Sequence, residues 1–342
     1  MAAALEPKVT VAIPTYNRSR LLAQALSSLV DQGLRREEYR VAISDNASSD
    51  DTQEIIEGFR NRLEIDYRRN QQNIGPRLNW HQVIDMCQAP LFSFLSDDDL
   101  LAPGQLARAL RIFATEPNVS LVASVAVCQP HPGAFSSEVY GMFLSATSET
   151  PFNRTYQWKA CEWLALALIN TPLSLIGSVF QRDAFLRCGE EWKQYEIWAD
   201  RLFMAQMAIQ GDVFSLPWIG GHYRTHVAQL NSQNMRLNQE EFHRVTQAIL
   251  KICAERELPI RKFWADHLSH VAVYERDHYL RRLKFALPRS MYKDIRHEAA
   301  KRVGMGFMRG IVLEPPAGLG SQIFRRLLRS RLSRSPEFPP GP

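Results

Sequence analysis

Three consecutive carboxylates, Asp97-Asp98-Asp99, follow Ser96 at the end of the short apolar run Phe92-Ser93-Phe94-Leu95. Like charges held this close repel one another, so the cluster needs either a cation or ample water. The chain carries a formal charge of +5, so a generally acidic surface does not account for it. Two readings follow from the residues alone. One is a divalent-cation site, since carboxylate oxygens are hard ligands suited to Mg²⁺ or Mn²⁺. The other is a solvated loop leading into a helix at Pro103-Gly104. Further polar groups of the same character stand at Asp45-Asn46, at Glu196 and Asp200, and in Gly220-Gly-His-Tyr-Arg-Thr-His226.

Several chemistries lack their motifs. There is no GxGxxG after the first apolar strand and no GxxxxGK[ST], which argues against dinucleotide and P-loop nucleotide sites. The GxSxG turn of serine hydrolases is also missing. The five cysteines (Cys87, Cys128, Cys161, Cys188, Cys253) show no CxxC or Cys/His metal spacing. Reduced core thiols in a cytosolic protein are therefore expected. No apolar stretch is long enough to span a bilayer, and the first residues lack the basic flank and apolar core of a secretion signal.

The elements that must position these groups can be read from periodicity. Lys8 to Pro14 is an apolar run expected to form a buried strand. Leu21, Leu22, Ala25, Leu26 and Leu29 then recur at helical spacing. A second strand is expected at Tyr39 to Ser44, a helix around Ile55, Ile56 and Phe59, a third strand at Leu63 to Tyr67, and a helix at Leu78 to Met86. The strand leading to the Asp cluster precedes a helix at Pro103 to Ala114 and a strand at Val119 to Val127. Such alternation predicts an α/β fold with a mostly parallel sheet flanked by helices. In sheets of this kind ligands bind beyond the carboxyl ends of the strands. Thr15-Tyr16-Asn17, Asp45-Asn46 and Asp97-Asp98-Asp99 all fall there. A strand near Ser174 to Phe180, a helix at Asp200 to Gln210 and a strand at Asp212 to Ile219 follow an irregular stretch from Gln129 to Tyr156. The chain beyond Asn238 reads as helical.

Taken in order and spacing, Val11-Ala-Ile-Pro-Thr-Tyr-Asn-Arg18, Ser44-Asp-Asn-Ala-Ser-Ser-Asp50, Asn73-Ile-Gly75 and Leu95-Ser-Asp-Asp-Asp-Leu-Leu-Ala-Pro-Gly104 resemble the family 2 glycosyltransferases of the GT-A fold. The resemblance runs from about Lys8 to Asn231. It implies inverting transfer from a nucleoside-diphosphate sugar to an acceptor hydroxyl, with Mn²⁺ or Mg²⁺ on the diphosphate. Carried over by position, Pro14, Thr15 and Tyr16 would line the base pocket, with Arg18 beside them, and Asp45 would accept a hydrogen bond from the base. Asp97 would meet the ribose, Asp98 would ligate the metal, and Asp99 would complete the acidic donor site. Ser96 stands where the family more often has an acid, which leaves the division of roles among the three aspartates open. Arg77 and Asn79 would touch donor phosphate or sugar, or else simply start a helix. Asp200 matches the second acid of the family's Glu-Asp pair, with Ala199 in place of the first. It would act as general base, the bland alternative being a helix cap, and Glu196 is a weaker candidate. His226 would complete the metal or diphosphate site with Arg224 helping, and His222 competes for that role.

The resemblance implies a GT-A catalytic domain, expected over residues 1–235, and the residues beyond it read as a helical extension over 236–312 and a basic, proline-rich tail over 313–342. In the tail, Arg325, Arg326, Arg329, Arg331 and Arg334 interleave with Ile323, Phe324, Leu327, Leu328 and Leu332. This pattern suits an anionic membrane surface, or else a solvated or oligomer-contacting helix. The expected partners are the sugar donor and a glycan or lipid-linked saccharide acceptor of surface-polysaccharide assembly. The expected location is the cytoplasm or the inner face of its membrane, and nucleic acid is not expected as a partner. Rivals are a sugar nucleotidyltransferase, which would carry a glycine-rich basic loop after the first strand, and a non-catalytic sugar-nucleotide-binding subunit. A processive synthase would need membrane helices and a Gln-x-x-Arg-Trp segment, and neither occurs.

Overall fold

The computed structural model describes residues 6–130, 155–169, 173–225, 235–270 and 273–303. Strands β1 (Val9–Thr15), β2 (Tyr39–Asp45) and β3 (Ile65–Arg69) pair in parallel, and β4 (Leu91–Phe94) joins the free side of β1, also in parallel. Helices α1 (Ser19–Leu29), α2 (Thr52–Phe59) and α3 (Pro76–Asp85) connect them. The sequence-based expectation for this half is met to within a few residues, because β1, β2 and β4 are buried on both faces and therefore read as almost continuous apolar runs, while β3, at the sheet edge, buries Ile65 and leaves Asp66, Arg68 and Arg69 exposed.

Beyond β4 the sheet is mixed. A short strand β5 (Leu100–Leu101) and helix α4 (Gln105–Thr115) precede β6 (Val119–Pro130). Next come β7 (Tyr156–Trp158), α5 (Ala160–Ala167), β8 (Ser174–Gln181), α6 (Arg182–Leu186), α7 (Ala199–Met207) and β9 (Asp212–Thr225). The strand order is β3-β2-β1-β4-β8-β6-β9-β5, with β7 paired to β9. β8 lies antiparallel between β4 and β6, and β9 runs parallel to β6. Two reversals cancel, so β6 and β9 point the same way as β1 and β4. Their carboxyl ends therefore share one rim.

β9 continues past Ile219, where the sequence pattern predicts a stop, through Gly220-Gly221 to Thr225. A Cβ on Gly221 would lie 2.4 Å from Ile176 Cγ2 and 2.7 Å from the Leu100 carbonyl oxygen. Glycine here permits the close strand crossing at which β5 pairs with Gly221 and His222.

Each face of the sheet has its own core. Val9, Val11 and Ile13 pack with Leu22, Leu26 and Leu29 of α1, Ile56 of α2 and Leu106 of α4. Ala12, with the alternate register, faces Phe92, Phe94, Phe180 and Phe203, whose rings meet at centroid separations such as 4.9 Å between Phe180 and Phe203. Burying each such side chain contributes about 1.5–3 kcal/mol. Cys87, Cys188 and Cys253 are free thiols in this packing, and burial pushes each up to about 12.

Among the described residues, α8 (Met235–Glu255), α9 (Ile260–His270), α10 (Val273–Ala286) and α11 (Arg289–Val303) follow the sheet. Phe242, Val245 and Ile249 of α8 and Trp264 of α9 belong to the same core as Phe203 of α7. Among the described residues no helix is long and apolar enough to cross a membrane. The basic tail over 313–342 and most of the stretch from Gln129 to Tyr156 lie outside the described residues.

Candidate active site

The rim is stitched by main-chain hydrogen bonds before any side chain is considered. Asn46 N–H donates to the Thr15 carbonyl at 2.9 Å, Asn70 N–H to Asp45 at 2.8 Å and Leu95 N–H to Ala12 at 3.0 Å. Thr15 and Asp45 are register partners at the ends of β1 and β2. Two loop residues adopt left-handed backbone, Asn17 (φ 51°) and Ala47 (φ 66°). Asn17 is suited to this conformation, and its Oδ1 accepts from Ser49 N–H at 2.7 Å.

The three aspartates after β4 are buried, with exposures of 3% for Asp97, 8% for Asp98 and 2% for Asp99. A solvated loop is thereby excluded. Asp97 Oδ2 accepts from Thr15 Oγ1 at 2.8 Å, and Arg18 Nη1 bridges Asp97 Oδ1 at 3.0 Å and Asp98 Oδ2 at 2.9 Å. Asp99 Oδ1 accepts the Arg224 N–H at 3.0 Å. The Arg224 guanidinium donates to the Asp98 carbonyl, to Gln24 Oε1 and to the Leu21 carbonyl, tying β9 and the aspartate turn to α1. Burial, reinforced by the Asp98 charge, raises the Asp97 carboxyl to about 6, against the pull of Arg18 and Thr15. Asp99 is raised well above the usual carboxylate range, first by burial and then by Asp98. The turn thus stores electrostatic repulsion that a further cation would relieve.

Asp45 is also buried, and its oxygens accept from Ser48 N–H at 2.9 Å and Tyr67 OH at 2.8 Å, with Arg69 Nε 3.5 Å away. It stands at the edge of an open groove of about 680 Å³ shared with Ser49, Asp50, Gln53 and Arg69. Tyr16 is exposed above the rim and Pro14 is half-buried. Arg77 Nη1 donates to the Lys193 carbonyl at 2.9 Å. Asn79 is buried, with its amide committed to Ser44 Oγ at 2.7 Å and the Ser44 carbonyl at 2.9 Å, so it braces β2 from beneath.

Asp200 is the second residue of α7. Ser120 Oγ, at the start of β6, donates to the Met207 carbonyl at 2.9 Å, which sets the far end of α7 at the amino ends of the strands. The beginning of α7 therefore points to the carboxyl rim, and the Arg77–Lys193 bond holds the preceding segment there. Asp200 is half-buried, and desolvation raises its carboxyl to about 6 despite the Arg201 N–H bonded to it at 2.7 Å. Glu196, in the same segment, is exposed. A carboxylate with its proton affinity raised toward neutrality is fit for base chemistry. His222 is half-buried opposite Leu100, and burial lowers its proton affinity. His226 lies outside the described residues.

Among the described residues no three His, Cys, Asp or Glu side chains converge as a ready-made metal cage. The donor set still fits a hard divalent ion of the kind that takes one or two carboxylates and completes its shell with phosphate and water. The pairing of Arg18 with both Asp97 and Asp98 was not read from the sequence. Its only trace there was an arginine three residues after Thr15.

Residues 10–161 match the family model described as glycosyl transferase family 2. Over 101 residues the chain is 37% identical to the abequosyltransferase RfbV of Salmonella typhimurium, covering 29% of this chain and 30% of that protein. Over 108 residues it is 31% identical to the GalNAc(5)-diNAcBac-PP-undecaprenol beta-1,3-glucosyltransferase of Campylobacter jejuni, covering 31% of this chain and 34% of the relative. The matched part thus spans about a third of each of these relatives. The crystal structure of S. aureus TarS 1-349 in complex with UDP-GlcNAc superposes with a TM-score of 0.57 at 17% identity, covering 89% of this chain and 92% of that one. At that identity the likeness establishes the fold, which is GT-A.

Proposed function

We propose, from the premise that residues 10–161 are a family 2 glycosyltransferase segment on a GT-A fold, that this chain is a metal-dependent inverting glycosyltransferase. Its donor is a nucleoside-diphosphate sugar and its acceptor a hydroxyl of a surface or lipid-linked glycan. The buried aspartate turn bridged by Arg18 carries this reading, because three desolvated carboxylates outnumber the two guanidiniums, Arg18 and Arg224, described beside them, which suits a site that takes up more positive charge. The name of the Campylobacter jejuni relative, which contains an undecaprenol-linked saccharide, supports the acceptor class, and the UDP-GlcNAc complex of TarS supports the donor class.

In this reading Tyr16 covers the base, Thr15 and Asp97 face the ribose, and Asp98 would hold the cation. When bound, that ion supplies positive charge at the departing diphosphate. The rest is work for the chain's own groups. Asp200, ionised, accepts the acceptor hydroxyl's proton as its oxygen forms the new bond to the anomeric carbon. The bond from that carbon to the diphosphate oxygen breaks, and its electron pair leaves with the nucleoside diphosphate. A single displacement inverts the anomeric centre. Arg224, bound to the aspartate turn and to α1, keeps the site in register.

The test is release of nucleoside diphosphate from a panel of UDP- and GDP-sugars, with Mn²⁺ and with EDTA. Turnover that depends on Mn²⁺, is lost in Asp98→Ala and gives an inverted anomer by NMR supports the proposal. Full turnover in EDTA or in Asp98→Ala, or a retained anomer, rejects it.

A further inference from the structure

Helix α8 reaches the segment that carries Asp200 at three successive points. Trp198 Nε1 donates to the Asn238 side-chain oxygen at 2.9 Å and to its carbonyl at 3.0 Å. Arg201, fully buried, donates to Thr246 Oγ1 at 2.6 Å and to the Phe242 carbonyl at 3.3 Å, with its guanidinium 4.3 Å from the Phe242 ring centre. Between them stands Glu241, buried at 3% exposure. Its carboxylate accepts the N–H of Glu196 at 2.9 Å, of Ile197 at 2.8 Å and, more weakly, of Trp198 at 3.4 Å.

These three amides lie immediately before α7, where N–H groups have no intrahelical acceptor. A carboxylate from another element gathers them through charge-assisted bonds, which are stronger than neutral ones and fix direction as well as distance. Asp200 is two residues beyond the last of them, held between this clamp and the Arg201 anchor.

We propose that Glu241 is a positioning residue for the transfer reaction: it sets Asp200 through the backbone of Glu196–Trp198, and so makes α8 part of the active site. The proposal rests on the reading of Asp200 as general base. Glu241 touches no substrate in this scheme. Its effect is to hold the base within the narrow range of positions from which proton transfer is efficient, and misplacement on the order of 1 Å is enough to cost about 100-fold in rate.

The experiment uses the full chain and the variants Glu241→Leu, Glu241→Gln, Asp200→Asn and the Glu241→Leu/Asp200→Asn pair. Two readouts are taken: amide hydrogen exchange of residues 196–198, and kcat and KM with the best donor of the UDP- and GDP-sugar panel. Glu241→Leu is expected to speed exchange at those amides and to lower kcat about 100-fold. Its donor KM should stay within about twofold. Glu241→Gln keeps one acceptor oxygen and should recover about tenfold of that loss. If Glu241→Leu does not fold, the Gln variant carries the test, with a smaller loss in kcat and the same unchanged KM. In the Asp200→Asn background, Glu241→Leu should cause no further fall in kcat, since the residue it acts through is already gone. A full additional loss there, or faster exchange with unchanged kcat, overturns the proposal. Full turnover in Asp200→Asn alone also overturns it and identifies the base assignment as the faulty premise, whereas the exchange data report the clamp independently of any activity.

Discussion

Nη1 of Arg18 lies 2.9 Å from Asp98 Oδ2, and the same nitrogen bridges to Asp97 at 3.0 Å. One guanidinium thus stands where an added cation would be most strongly drawn, between two buried carboxylates. Arg18→Ala should destabilise the metal-free protein by about 1–2 kcal/mol, between the values for exposed and buried pairs because Arg18 is partly exposed. The gain in melting temperature on adding Mn²⁺ should be larger in Arg18→Ala than in the wild type, since the ion replaces the missing charge. Thermal melts in EDTA and in Mn²⁺ decide this, and equal increments in both proteins would show that Arg18 and the ion do not share these carboxylates.

The Asp200 carboxyl, raised by burial from 3.8 to about 6, sets the acid side of the activity profile. Only the ionised form accepts a proton, so kcat should decline as pH falls through about 6. The stability effect has the opposite sense. The folded carboxyl holds its proton more tightly than the unfolded one, so its stabilisation is complete below 3.8 and is withdrawn as pH rises through about 6. Asp200→Asn, permanently neutral, should lose at least about 100-fold in kcat. It should also melt no lower than the wild type at pH above that window. A marked drop in its melting temperature would show that the carboxylate is there for structure.

Gly177 adopts φ +75°, and a Cβ there would lie 2.7 Å from both the Gly220 carbonyl oxygen and Ser124 Oγ. Gly177→Ala combines left-handed strain with overlap against backbone, and should cost about 3 kcal/mol or more. Because β8, β6 and β9 cross here, the same change should reduce turnover by displacing Arg224. Urea denaturation measures the first effect, and a loss below 1 kcal/mol would mean the crossing can relax.

Ala47, at φ +66° in the loop after β2, holds a conformation that costs an ordinary residue about 1–2 kcal/mol. Ala47→Gly should raise stability by about 0.5 kcal/mol after allowing for the freer unfolded chain. Ala47→Val should lower it by about 1–2 kcal/mol, since branching at Cβ aggravates the strain. The order of denaturation midpoints checks this, and Val above Gly would refute it.

What was legible in the sequence were the features that local periodicity and chemical type encode. Val9, Val11 and Ile13 against Ala12 foretold a strand buried on both faces, and Leu22, Leu26 and Leu29 a helix packed on it. The placing of Asp45 and Asp97–Asp99 at strand ends put them on one rim. The antiparallel insertion of β8 was not legible, because an apolar strand carries no mark of its direction when both faces are buried. The continuation of β9 past Ile219 was not legible either, since Gly220 answers to Ser124 and Gly221 to Ile176 and Leu100 rather than to their neighbours in the chain.

The amino-acid sequence by itself determined which segments fold into strands and helices and which acidic residues end up on the carboxyl rim, since both depend on side-chain pattern over a few residues. Tertiary structure alone decided which groups meet: Arg18 with Asp97 and Asp98, Arg224 with the turn 125 residues before it, and Glu241 with amides 43 to 45 residues before it. Such meetings depend on how packed layers bring distant segments together, and no local pattern records them.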